Sequence, residues 1–280
     1  MMGGAIGIQG RRVHRDAFTL MELLVVIAII ALLMAILLPT LRSAKAGARK
    51  LICQSRLRGI HQGWALYSQD SSDFLYKGAD ANVNFGGWIG QLGAAIHYSW
   101  GRPMWPRPLN AYVAKGAVEN EPDSARLFSC PADRGGVVGY AGSTAYALYG
   151  NSYAANIYIM GPDKVSTANQ RTAALHRAIN KLLPDMSRVQ ITNNPQEVII
   201  AGDHGWHNQL FGLHPSEAYK KEGQWHRKQD SYNIAFLDGH VAFTPIRESR
   251  FFVSGQYNAI PFRELNTLAA TVYADPCTPN

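Results

Sequence analysis

The sequence predicts an α+β chain: a long, kinked N-terminal helix laid on an antiparallel sheet inside a loop-rich head. Three observations predict it. Residues 18–38 form an apolar run of 21 residues with one charge, Glu22. A helical stripe resumes behind Pro39 and continues to about Gln69. Near the C-terminal end, Asn233–Leu237 and His240–Phe243 flank Asp238-Gly239, the strongest hairpin signal in the chain.

The apolar run comes first. As a helix at 1.5 Å per residue it spans about 31 Å, close to a hydrocarbon core of roughly 30 Å. Glu22 inside it calls for a reason, because an intramembrane carboxylate costs on the order of 2.5–3.5 kcal/mol at a helix centre and usually finds a partner. A secretory signal ending near Ala44 or Ala46 and an ordinary single-pass anchor are the alternative readings. Charge supports a membrane rather than nucleic acid. Nine Lys/Arg and two Asp/Glu in residues 1–60 carry the whole net charge of +7, while the remaining 18 of each sign cancel. A phosphate-binding groove needs basic residues spread over the folded surface, so no nucleic-acid partner is expected.

Pro39 removes one backbone hydrogen bond, so a kink rather than a stop is expected there. Beyond it Leu41, Ala44, Ala48 and Leu51 form one apolar stripe, with Arg42, Lys45, Arg49 and Arg56 on a neighbouring face. The basic face reads either as a contact for lipid headgroups or another subunit, or as a solvated surface. Ile60, Trp64 and Tyr67 continue the helix, giving some fifty residues and about 75 Å. Residues 71–73 signal a turn, 171–183 a further helix stopped by Pro184, and Val198–Ala201 a short strand.

Ala17-Phe18-Thr19-Leu20-Met21-Glu22-Leu23, behind the basic leader Arg11-Arg12-Val13-His14-Arg15, resembles the N-terminal signature of type IV prepilins and type II secretion pseudopilins. The resemblance implies cleavage by a prepilin peptidase between Ala17 and Phe18 and methylation of the new amine. It implies that Glu22 pairs with a neighbouring subunit's N-terminal amine. It also implies a single-pass protein of the bacterial inner membrane, its head outside the cytoplasm and its partners other pilin-type subunits. Ala17 departs from the family's usual Gly. The corresponding divisions are a leader at 1–17, a membrane helix at 18–38, its continuation at 39–70 and an exoplasmic head at 71–280.

Later segments resemble a large-headed pseudopilin-like group with an H-X9-DG motif: Cys53–Ile60, Phe128–Asp133, Ser152–Asn156 and Phe236–Val241. Eleven residues rather than nine separate His226 from Asp238, so either the loop carries an insertion or His226 is not the equivalent histidine.

Three cysteines, Cys53, Cys130 and Cys277, would lie in a disulfide-permissive compartment. Three pairings are open; Cys53–Cys130, which would staple the helix to the head, is the preferred one, and free structural thiols are the alternative. Five of nine histidines fall between residues 204 and 240: His204, His207, His214, His226 and His240. With Asp203 and Asp238 they offer zinc-ligand chemistry, and the resemblance to pseudopilins implies a calcium site to which Asp203, Asp230 or Asp238 could contribute. The alternative is that these residues only cap turns and edges, with no cofactor. No nucleophile elbow, P-loop or dinucleotide fingerprint occurs, and nothing nominates a base for Cys130. A non-enzymatic structural subunit is therefore expected. The alternative is an anchored surface module that binds a glycan or other ligand through Trp88, Trp100 and Trp105.

Overall fold

A computed structural model describes residues 19–71, 81–91, 105–137, 140, 142–156, 194–212, 216–248 and 250–259. The anticipated helix at 171–183, Ala17, Phe18, Trp100, His214 and Cys277 lie outside the described residues. The chain divides into two compact units, Met1–Lys45 and Ala46–Asn280.

Helix α1 runs from Leu20 to Asp70, 51 residues, with Pro39 inside it. Pro39 has no N–H to offer the carbonyl four residues back. The Thr40 hydroxyl instead donates to the carbonyl of Leu37 at 2.8 Å, so the following turn keeps local support. In the first unit every described residue of the apolar run is exposed, as a lipid-facing helix requires. Among the described residues this is the one helix long and apolar enough to cross a membrane.

In the second unit the same helix becomes one-sided. Cys53, Leu57, Ile60 and Trp64 are each at most 1% exposed; they recur at spacings of four, three and four, one face of a helix. This corrects the expected stripe. Leu41, Ala44, Ala48 and Leu51 share a face but are exposed, and the buried stripe begins only at Cys53. The basic face divides too. Arg56 turns into the head and donates to the carbonyl of Ser129, whereas Arg42, Lys45 and Arg49 stay exposed.

The buried stripe packs in one apolar core with residues of a four-stranded antiparallel sheet. Its strands, in spatial order, are β1 (Tyr153–Ala155), β2 (Ile199–Asp203), β3 (Ser231–Phe236) and β4 (Val241–Pro245). β2 and β3 are buried along their whole length, whereas β4 is half-exposed as an edge. A β-bulge interrupts the β2–β3 ladder between Ile199 and Ala201. Strands β5 (Phe252–Val253) and β6 (Tyr257–Asn258) form a separate small hairpin. The α+β arrangement, a long N-terminal apolar helix with an antiparallel sheet, is pilin-like.

The Asp-Gly hairpin exists, but its turn is not type I′. A type I′ turn needs positive φ at both central residues; here Gly239 alone has it, at +95°, and Asp238 does not. The N–H of Gly239 donates to the carbonyl of Phe236, and that of Phe236 to the carbonyl of His240, both at 3.0 Å. This is the three-residue loop of a type I turn followed by a glycine bulge. His61 of α1 lies against its tip, its Nε2 3.1 Å from the carbonyl oxygen of Leu237.

Candidate functional site

The helix start is a reciprocal cap. Thr19 N–H and the Thr19 hydroxyl both donate to Glu22 Oε2 at 2.8 Å, and Glu22 N–H donates to Thr19 Oγ1 at 3.2 Å. A Thr and a Glu three residues apart satisfy two orphan amide donors of a helix N-terminus in this way. The carboxylate is thus held beside the backbone N of Thr19, one residue from Phe18. The Thr-x-x-Glu spacing was present in the sequence, but the resemblance drew attention to the charge of Glu22 and not to its capping geometry.

In the second unit, a disulfide joins Cys53 on α1 to Cys130, with Cα atoms 5.3 Å apart and a sequence separation of 77. Beside it His226 Nε2 lies 3.7 Å from Cys130 Sγ and 3.3 Å from Asp203 Oδ2. The side chains of His226 and Asp203 are 2% and 1% exposed. Asp203, at the end of β2, also accepts the N–H of Asn233 on β3 at 2.8 Å.

The loop after Cys130 is tied by Asp133. Its carboxylate accepts the N–H groups of Gly135, Ala145 and Tyr146 at 2.9–3.1 Å and the Ser152 hydroxyl at 2.7 Å. Ser152 Oγ in turn accepts the N–H of Cys130 at 2.9 Å. Burial pushes the Asp133 carboxyl up from its ordinary value, against the opposing pull of those four bonds. Asn156 donates to the carbonyls of Ile199 and Ala259, both at 2.8 Å. The Cys-Pro-x-Asp and Ser-Tyr-x-x-Asn segments are therefore knots that hold the core in register.

The anticipated metal set is split into three. Asp203 and His226 meet beside the disulfide. Asp238 Oδ1 meets His240 Nδ1 at 2.6 Å on the exposed hairpin, and His240 stacks on Phe236 with ring centroids 4.3 Å apart. His204 lies against Tyr149 and His207 against Trp206 at the start of the Gly205–Phe211 helix. Burial, with a smaller contribution from His204, pushes His207 down to about 3. Asp230 bonds Gln224 at 3.0 Å and faces Lys220 at 3.5 Å, apart from the Asp203 and Asp238 pairings that the calcium reading would need to gather. Among the described residues, the His, Cys, Asp and Glu atoms that converge as a group of three belong to Cys53, Cys130 and His226, all within 4.8 Å of one another.

Trp88 does not form a surface platform. It is 9% exposed and packs edge-on against Tyr146, while Trp105 is half-buried. Sequence reasoning also missed Arg107, which is 2% exposed. Its guanidinium donates to the carbonyls of Val83, Gly86, Ile89 and Tyr149 at 2.8–3.3 Å. A lone Arg between prolines carries no signal of such a role.

The family described as the prokaryotic N-terminal methylation motif matches residues 12–38. The chain carries the type IV prepilin signature. The matched stretch takes in Arg12 to Arg15, Ala17, Phe18 and the apolar helix as far as Leu38 with Glu22, and the chain reads as a pilin- or pseudopilin-like precursor with a membrane-anchoring helix. Neither a curated protein nor a solved structure matches the chain.

Proposed function

We propose that this protein is a structural, non-enzymatic subunit of a type IV pilus or type II secretion-like pseudopilus. A prepilin peptidase cuts it between Ala17 and Phe18, and the mature chain waits in the bacterial inner membrane with its head outside the cytoplasm. Assembly packs apolar helices of neighbouring subunits against one another and needs no cofactor. The observation that supports this reading most is the methylation motif at residues 12–38 with Glu22 in the first turn of its helix.

Glu22 gives the assembly step its direction. A carboxylate in hydrocarbon costs on the order of 2.5–3.5 kcal/mol, and a neighbour's N-terminal amine offsets that cost only within a filament. The Thr19 cap makes the test sharper, because Gln serves at the third position of a capping box as well as Glu. Glu22→Gln keeps the helix start and removes the charge, whereas Glu22→Ala removes both. Both variants are expected to insert and to be cut at Phe18, and Gln is expected to enter filaments about tenfold less than wild type, roughly 1.4 kcal/mol of the charge cost. Intact mass and N-terminal sequencing, with and without the peptidase, read the first step; subunit counts in sheared filaments read the second. A chain uncut in the presence of peptidase would falsify the precursor reading. Wild-type incorporation of Glu22→Gln would remove the charge from the mechanism.

A further inference from the structure

The disulfide corner carries chemistry that filament assembly does not use. Cys53 Sγ, Cys130 Sγ and a ring nitrogen of His226 lie within 4.8 Å of one another. Two thiolates and an imidazole are the donor set that zinc prefers over harder cations. The surroundings add oxygen. Asp203 Oδ2 is 3.3 Å from His226 Nε2, and Asp203 Oδ1 is buried with no hydrogen-bond partner among the described residues. Asn233 is fully buried, and neither atom of its side-chain amide has a partner among the described residues. Asn233 pairs across the sheet with Phe243, so both side chains share a face, and the Phe243 ring contacts that of His226. Unpaired buried polar atoms are costly, and here three of them belong to Asp203, beside His226, and to Asn233, whose backbone N–H Asp203 accepts.

We propose that reduction of the Cys53–Cys130 disulfide converts this corner into a zinc site, so that the same two residues join α1 to the head either by a covalent bond or through a metal. The donors are Cys53, Cys130 and His226, with the fourth position filled by oxygen from Asp203 or from a water held by Asp203 and Asn233. The step balances with a dithiol reductant: two electrons and two protons pass to the S–S bond, giving two thiols and the reductant's own disulfide. Zinc then displaces the two thiol protons. With a neutral imidazole, the Zn²⁺ and the two thiolates cancel in charge, and the Asp203 carboxylate adds one negative charge, which the N–H of Asn233 partly offsets. The proposal does not depend on the filament reading.

The test uses the full chain in detergent, reduced with a phosphine, stripped of metal and titrated with Zn²⁺ against a chromophoric chelator while tryptophan fluorescence is followed. One zinc per chain is expected, with two thiols protected from alkylation and two protons released. Cys53→Ser/Cys130→Ser should lose the site, Cys277→Ser should retain it, and His226→Ala should weaken it by about tenfold or more. If reduction alone loosens the head, zinc should restore the oxidised chain's fluorescence, since metal binding then couples to folding. Three results overturn the proposal: no stoichiometric zinc and no recovery of fluorescence, equal affinity in the double Cys variant, or equal affinity in His226→Ala.

Discussion

Removing the disulfide tests how much the head depends on being tied to its helix. In the oxidised protein the Cys53–Cys130 link closes a loop set by a sequence separation of 77. Chain-entropy reasoning for a loop of that length gives about 4.5 kcal/mol of stabilisation, through restriction of the unfolded chain. Domains of this kind are typically stable by about 5–15 kcal/mol, so the loss is a large fraction of the total. Each kcal/mol moves the melting point of a 150–250-residue domain by about 2–4 °C, which predicts a drop of about 9–18 °C for Cys53→Ala/Cys130→Ala. Alanine rather than serine avoids placing a hydroxyl where Cys53 is fully buried. The assay is thermal melting of the full chain in detergent with a metal chelator present, read by the fluorescence of buried Trp64, Trp206 and Trp225. Wild type treated with reductant should fall to the variant's melting point, and the variant should be insensitive to reductant. A drop under about 2 °C, on the same scale, would mean that the core holds α1 without the link and would refute the reasoning.

Arg107→Met should cost about 2–4 kcal/mol, because four carbonyls lose a donor at about 1 kcal/mol each, two of those bonds being part-buried and Val83 and Gly86 keeping Asn151 as a second donor. Arg107→Lys should recover only part of it, since an ammonium lacks the planar fork; urea midpoints decide, and a Met variant within about 1 kcal/mol of wild type would contradict the carbonyl cage. Gly239→Ala should destabilise the head by about 1–2 kcal/mol, because a side chain at positive φ is strained and the added Cβ would come 3.0 Å from the His61 ring; an unchanged melting point would show that the turn relaxes. His207 titrates at about 3 folded against about 6.5 unfolded, so its contribution is complete above pH 6.5. Between those values the unfolded chain binds the extra proton, and stability falls with pH by about 1.4 kcal/mol per unit. Urea midpoints across that window should fall more steeply for wild type than for His207→Gln, and equal slopes would exclude His207 as the cause.

The sequence by itself determined what depends on neighbours a few residues away. The apolar run, the periodicity of the long helix, the hydrophobic strands around Ile199 and Ile234 and the Asp-Gly turn all follow from local spacing, and the structure has each of them. Glu22 was conspicuous for the same reason, as a lone charge within an apolar stretch. Even locally the reading had a limit: Asp-Gly suits two turn types, and the bulge with positive φ at Gly239 alone depends on where the flanking strands pair. Only the tertiary structure decided which side chains converge. His226 reaches Cys130 across 96 residues, and Arg107 reaches carbonyls 18 to 42 residues away. The four described histidines of the 204–240 stretch, close in sequence, divide between the disulfide corner, a short helix and an exposed hairpin. Helix and strand periods are set by backbone geometry, whereas convergence is set by how those elements pack, and packing brings together residues whose spacing in sequence carries no record of the contact.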